Sequence, residues 1–325
     1  METPRTLQQA IIHFSDPVNC NAFMIAARWV DGKARCPQCG SDNVIYLEKA
    51  RLFKCRTAHP KQKFSLKVGT IFEDSPLGLD KWLTAIWLIA NAKNGISSYE
   101  IHRALGVTQK SAWFMLHRIR LAMQQGSIEK LSGHVEVDET FIGGKARNMH
   151  RSERARKIHG TGGCGKVAVM GLLERHGEVR TMVVSNVRRK SLRKEINTHV
   201  ESGSMVHTEA FKSYNDLNYD YMHNVVNHAE KYVEGNVHTN GIENFWSLLK
   251  RTIGGTYVSV GPFHLFRYLD EQAFRFNRRK ATDADRFFEV LTMVIGKRLE
   301  YSELIGKPSC AWGQASTEQR KEMKS

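Results

Sequence analysis

No stretch of this 325-residue chain is both long and apolar. The most hydrophobic segment, Trp82–Ala92, is too short and too polar to cross a bilayer. The N-terminus lacks the charged-then-apolar layout of a secretory signal, so a soluble, cytoplasmic protein with no membrane partner is expected. Acids are in short supply: 33 Asp and Glu face 48 Lys and Arg, giving a formal charge of +15, which favours a polyanionic partner. Cysteine is scarce too. Of six, three fall within twenty residues, a layout that in a reducing compartment points to a metal rather than to disulfides. Cys20, Cys164 and Cys310 read as ordinary thiols. No internal repeat or low-complexity block is present, and a 41% hydrophobic content is enough for buried cores in two or three domains.

The spacing of the remaining features divides the chain. Residues 1–32 carry apolar positions at helical intervals on either side of Asp16-Pro17, predicting two short helices. Residues 33–75 hold Cys36-Pro37-Gln38-Cys39-Gly40, an alternating stretch through Val44, Tyr46 and Leu52, and then Cys55-Arg56-Thr57-Ala58-His59. A Cys-x2-Cys knuckle, a hairpin and a second ligand pair form the layout of a zinc ribbon, with Cys36, Cys39, Cys55 and His59 as ligands of one structural Zn2+. The Cys-x3-His half is the looser one, leaving a surface role for His59 open. A segment this poor in large apolar residues needs the metal in order to fold.

Residues 76–130 are helical in pattern. After Leu79–Lys93, the run Ser97-Ser98-Tyr99-Glu100 opens one helix, Gly106 permits a bend and Thr108 caps a second. This predicts a helix-turn-helix DNA-binding domain whose second helix presents Lys110, Ser111, His117 and Arg118 to DNA. Residues 133–300 read as an α/β domain with strands at Val135–Ile142, Val167–Glu174, Val179–Val184, Met205–Thr208 and Met222–Asn227, and a helix at Lys190–Val200. That order is ribonuclease-H-like. Residues 301–325 form a C-terminal tail, charged and poor in apolar residues from Ser316.

Within the α/β region, alternation puts Val135 and Val137 on one face and Glu136, Asp138 and Thr140 on the other. Glu209 ends the fourth strand, and Glu243 lies on a helical segment, His238–Arg251, that is otherwise apolar and basic. Three carboxylates brought by two strands and a helix suit a two-metal phosphoryl-transfer site, which needs hard oxygen ligands converging from separate elements.

The combined motifs resemble the insertion-sequence transposases of the ISXO type, the family numbered fifteen-ninety-five, in the D-D-E group. The resemblance rests on the Cys-Pro-x-Cys-Gly knuckle, Gly69–Ser75, Val137–Gly144, Asn227-His228, His238–Glu243, Phe245–Arg251 and Phe274–Arg279, and spans nearly the whole chain. It implies a ribonuclease-H-like catalytic fold, two Mg2+ (or Mn2+) ions, and DNA cleavage and strand transfer at element ends. It further implies terminal inverted repeats and target DNA as double-stranded partners, a homo-oligomer on that DNA, and a prokaryotic cytoplasm with nucleoid association.

Position by position, Asp138 matches the first catalytic acid and Glu243 the third. Asn240 is a rival or auxiliary ligand, and His207, His228 and His238 either position the nucleophile or pack. The second acid departs from the pattern: the family has Asp where this chain has Glu209, longer by one methylene, although its interval to Glu243 is the usual one. Asp216 and Asp220 are weaker substitutes for it. Lys250 and Arg251 are expected on backbone phosphate, and the basic run Lys145–Lys157 on flanking or target DNA. A transposase-derived DNA-binding protein with impaired or absent chemistry, because of Glu209, is the competing reading. A nuclease or resolvase would leave the ribbon and helix-turn-helix together unexplained.

Overall fold

The computed structural model describes residues 3–126, 128–160, 163–209, 212–214, 217–226 and 238–306. Its described residues form two compact units, one holding residues 3–124 together with 280–306, the other residues 125–279.

The first unit begins with α1 (Leu7–Phe14) and α2 (Pro17–Arg28). Asp16 accepts a hydrogen bond from the Val18 N–H and Pro17 opens the helix, so the expected turn signal acts as a cap. The ribbon follows as an antiparallel sheet of β1 (Val44–Leu47), β2 (Leu52–Cys55) and β3 (Lys63–Phe64). Next come α3 (Leu79–Asn91), α4 (Ser98–Leu105) and α5 (Gln109–Met123). Ser97 and Glu100 form a reciprocal capping box on α4, Gly106 closes it at φ 60°, and Thr108 caps α5.

The second unit is built on β4 (His134–Ile142), which leads through α6 (Arg151–Lys157) to β5 (Val167–Glu174) and β6 (Val179–Val184). Helix α7 (Arg189–His199) connects these to β7 (Met205–Glu209) and β8 (Met222–Val226). The five strands stand in the order β6-β5-β4-β7-β8. The pairs β6–β5 and β5–β4 are antiparallel, and β4–β7 and β7–β8 parallel. Val135, Val137, Met170 and Leu172 face one way, onto a core with Leu192 and Ile196 of α7. Val169, Leu173 and Ile142 face the other way, under α8 (Asn240–Thr252) and α9 (Leu265–Asn277), which supply Ile242, Phe245, Trp246, Leu249 and Leu269. Both faces are covered, so the inner strands are largely buried.

The domain boundary expected at residue 300 lies instead after residue 279. Helix α10 (Asp283–Thr292), opened by a Thr282–Asp285 capping box, belongs to the first unit, and α11 (Tyr301–Leu304) follows it there. The reason is aromatic packing: Phe287 is fully buried, with ring centroids 5.6 Å from Phe14, 5.9 Å from Phe23 and 5.1 Å from Trp87. The N-terminal helices, the ribbon and α3–α5 likewise cluster as one unit rather than as three consecutive pieces.

Candidate active site

In the ribbon, the candidate ligand atoms of Cys36, Cys39, Cys55 and His59 all lie within 4.8 Å of one another. Cys36 Sγ is 3.4 Å from His59 Nε2 and Cys39 Sγ is 3.7 Å from Cys55 Sγ. Those separations suit the edges of a tetrahedron with Zn–S bonds of about 2.3 Å and a Zn–N bond of about 2.0 Å. The other ring nitrogen of His59, Nδ1, lies 2.7 Å from the Pro60 carbonyl, which favours Nε2 as the metal-facing atom. The four residues fit one structural zinc, and His59 joins the cluster rather than standing apart on the surface.

On the sheet, Asp138 projects toward the α8 face of β4, where Trp246 Nε1 donates to its Oδ2 at 2.9 Å. The indole fits because its neighbour on β5, paired with Asp138, is Gly171. A Cβ there would stand 2.6 Å from Trp246 Cζ2 and 2.8 Å from Ile242 Cδ1. Glu209 ends β7, the strand hydrogen-bonded in parallel to β4, and Glu243 sits in the first turn of α8, accepting from Thr239 Oγ1 at 3.1 Å. Burial pushes Asp138 up to about 6, reinforced by the charge of Glu209 and more weakly by Glu243, against the hydrogen bonds from the Glu139 N–H and Trp246. The three acids therefore share one electrostatic neighbourhood.

Two further acids lie beside Asp138 on β4, neither of them singled out by sequence reasoning. Glu139 faces the opposite side, where burial lifts it to about 7 although the Tyr214 hydroxyl donates to it. Glu136, 1% exposed, shares the Asp138 face and receives Arg175 Nε at 2.9 Å and the Ile242 N–H at 3.0 Å. His207 pairs with Glu136 in register and stacks on His134, its Nε2 3.0 Å from His134 Nδ1; burial, with Arg175 and the neighbouring histidines, lowers it to about 4. The alternation of β4 was the available signal for Glu136, which it put on the same face as Asp138.

The other expected residues divide. Asn240 is exposed at the start of α8, and Lys250 and Arg251 are exposed at its end. His238 is half-buried, its Nδ1 3.4 Å from Glu136 Oε1. Asp220 is engaged by Arg193 at 2.6 Å, while His228 and Asp216 lie outside the described residues. Lys110 is exposed with its ammonium 5.0 Å from the Tyr301 ring centroid, and Ser111 is half-buried in the first turn of α5. His117 and Arg118 do not face outward as expected. His117 is fully buried, and Arg118 donates to the carbonyls of Ile71, Glu73 and Leu299 at 2.9, 2.7 and 3.1 Å, so neither side chain is presented to DNA. Among the described residues no helix is long and apolar enough to cross a membrane.

A zinc ribbon in one unit and a mixed α/β fold in the other are consistent with one class of protein, the transposases. The ISXO2-like transposase domain matches residues 130–277, and a transposase zinc-ribbon domain matches residues 16–57. A protein in transposable element ISH50 of Halobacterium salinarum is 27% identical over 264 residues, covering 77% of this chain and 87% of that one. A transposase-like protein of Haemophilus influenzae is 35% identical over 101 residues, 31% of this chain and 81% of its own. The chain belongs to the ISXO2-like transposase family.

Proposed function

We propose that the chain is a D-D-E-type DNA transposase with a ribonuclease-H-like catalytic domain, acting on double-stranded DNA at the ends of an insertion element. The observation that carries this reading is that Asp138, raised to about 6 mainly by burial, also feels the charges of Glu209 and, more weakly, Glu243 at one sheet-helix junction. Like-charged, partly desolvated oxygens are poorly suited to one another and well suited to hard divalent cations, here two Mg2+ or Mn2+. Such ions would lower the pKa of the attacking water or DNA 3′-hydroxyl and stabilise the leaving oxygen. The protein's share is to fix the three carboxylates. Trp246 orients Asp138 by its hydrogen bond, and the parallel pairing of β7 with β4 brings Glu209 beside it. Asn240, one turn before Glu243, and His228 and His238 remain auxiliary candidates.

DNA contacts are assigned to Lys110 and Ser111 at the start of α5, read as the recognition helix of a helix-turn-helix, and to Lys250 and Arg251 along backbone phosphate. The exposed basic segment 145–157, which carries α6 between β4 and β5, suits flanking or target DNA. Paired cutting of two ends calls for a homo-oligomer on the DNA, within a prokaryotic nucleoid.

Glu209 favours a second reading, a DNA-binding protein with weakened or lost catalysis. The deciding assay is purified protein on element-end DNA with Mg2+ or Mn2+. Cleavage and joining by the natural protein, lost in Asp138→Ala while binding persists, is the expected result. Activity seen only after Glu209→Asp identifies an impaired enzyme, and inactivity of both with binding intact removes the enzyme reading.

A further inference from the structure

The helix that carries Glu243 is not capped by its own N-cap side chain. Thr239 stands at the N-cap of α8 but makes no side-chain bond to the helix's free N–H groups, donating instead to Glu243. The acceptor comes from another element: Glu136 Oε2, on β4, takes the Ile242 N–H at 3.0 Å. Its other oxygen is held by Arg175 Nε at 2.9 Å, and the same guanidinium donates to the His238 carbonyl at 2.7 Å and approaches His238 Nδ1 at 3.2 Å. Arg175 thereby grips both the capping carboxylate and the chain entering the helix. Gly241 permits the approach, because a Cβ there would meet Glu136 Oε2 at 2.8 Å and Leu173 Cδ2 at 2.5 Å.

A second tie lies one turn further along, where Trp246 donates to Asp138 at 2.9 Å. The two ties match in spacing. From Glu136 to Asp138 the strand advances about 6.6 Å, and from Ile242 to Trp246 the helix rises about 6 Å. Helix and strand run together in register, with Glu243 between the two points of attachment.

We infer that Glu136, with Arg175 as its partner, is a positioning residue of the catalytic site: it fixes the axial register of α8 on β4 and so the place of Glu243 beside Asp138. The inference rests on the transposase reading for its catalytic meaning, while the clamp itself is independent of it. A carboxylate suits the task because it satisfies an orphan N–H, opposes the positive end of the helix dipole and neutralises Arg175 with the same two oxygens.

The test compares wild type, Glu136→Ala and Glu136→Gln by two readouts: amide hydrogen exchange across residues 240–249 and single-turnover cleavage of end DNA in Mg2+, below each variant's Tm. Glu136→Ala is expected to speed exchange in the first turn of α8 and to slow cleavage about a hundredfold, the scale of an ångström's misplacement, with end-DNA affinity unchanged. Glu136→Gln, which keeps an oxygen for Ile242, is expected to recover part of both. Unchanged exchange in Glu136→Ala overturns the clamp. Faster exchange with cleavage within threefold of wild type overturns the positioning role and leaves a structural one. If Glu136→Ala does not fold, Glu136→Gln and Trp246→Phe carry the same comparison, and wild-type behaviour of both in both readouts overturns the inference. Absence of cleavage by wild type defeats the transposase reading instead, and hydrogen exchange still decides the clamp.

Discussion

Asp138 is bracketed by two acids that point in opposite directions, and their environments give them different work. Glu136 accepts from Arg175 Nε at 2.9 Å and from the Ile242 N–H at 3.0 Å, whereas Glu139, buried against Tyr214, is raised to about 7. An acid whose folded-state pKa is raised stabilises the fold only while protonated. Its contribution is complete below the unfolded value, about 4.5, and is lost as pH climbs through about 7. In buffer free of magnesium and manganese, Glu139→Gln is therefore expected to gain stability over wild type as pH rises from 5 to 8. The gap should reach on the order of 1–3 kcal/mol, at about 1.4 kcal/mol per pKa unit. Urea unfolding at a series of pH values measures it, and a pH-independent gap contradicts the assignment.

Single residues also show where sequence reasoning stops. His117 and Arg118 sit at positions that suit groove contact when α5 is viewed alone. In the fold, nearly every side chain from Met115 to Met123 is buried, and Arg118 reaches the Leu299 carbonyl, 181 residues away. Nothing local to α5 carries that information.

Among the elements, α8 owes its place to the glycine beneath it. A glycine inside a strand ordinarily weakens it. A Cβ at Gly171 would run into the α8 side chains, so Gly171→Ala is expected to cost about 1–3 kcal/mol through overpacking against Trp246 and Ile242. The urea midpoint of the sheet unit reads this, and a variant as stable as wild type would mean that α8 lies further away. The ribbon depends on its metal in a different way. Its three strands are short, two to four residues each, and the cluster Cys36, Cys39, Cys55, His59 closes them. Chelation should release one zinc per chain, quantified by a colorimetric indicator, and expose the ribbon to proteolysis between residues 33 and 64, while the sheet unit stays intact. Equal protease resistance with and without metal would argue against a structural zinc.

At the scale of the molecule, the chain leaves its first unit after residue 124, builds the sheet unit and returns after residue 279. The returning helix is integral to the first unit, because Phe287 fills a pocket of Phe14, Phe23 and Trp87. Phe287→Ala is expected to destabilise that unit by about 3–5 kcal/mol, the usual range for an emptied aromatic site. Differential scanning calorimetry should show the loss confined to one transition, and loss from the sheet transition instead would contradict the division.

Much of this architecture was written in local pattern. Sequence pattern placed β5 and β6 at their observed limits and β4 and β7 to within a residue, because strand period and turn chemistry are properties of neighbours. The Cys-x2-Cys knuckle, the break at Asp16-Pro17, a serine cap at 97 or 98 and the Thr108 cap were legible for the same reason. Tertiary structure alone decided which buried acid caps α8, which basic residues of α5 turn inward, and which unit residues 280–306 join. Each of those outcomes depends on desolvation and hydrogen bonding between groups tens to hundreds of residues apart, whose pairing exists only once the sheet has ordered its strands and the chain has folded back.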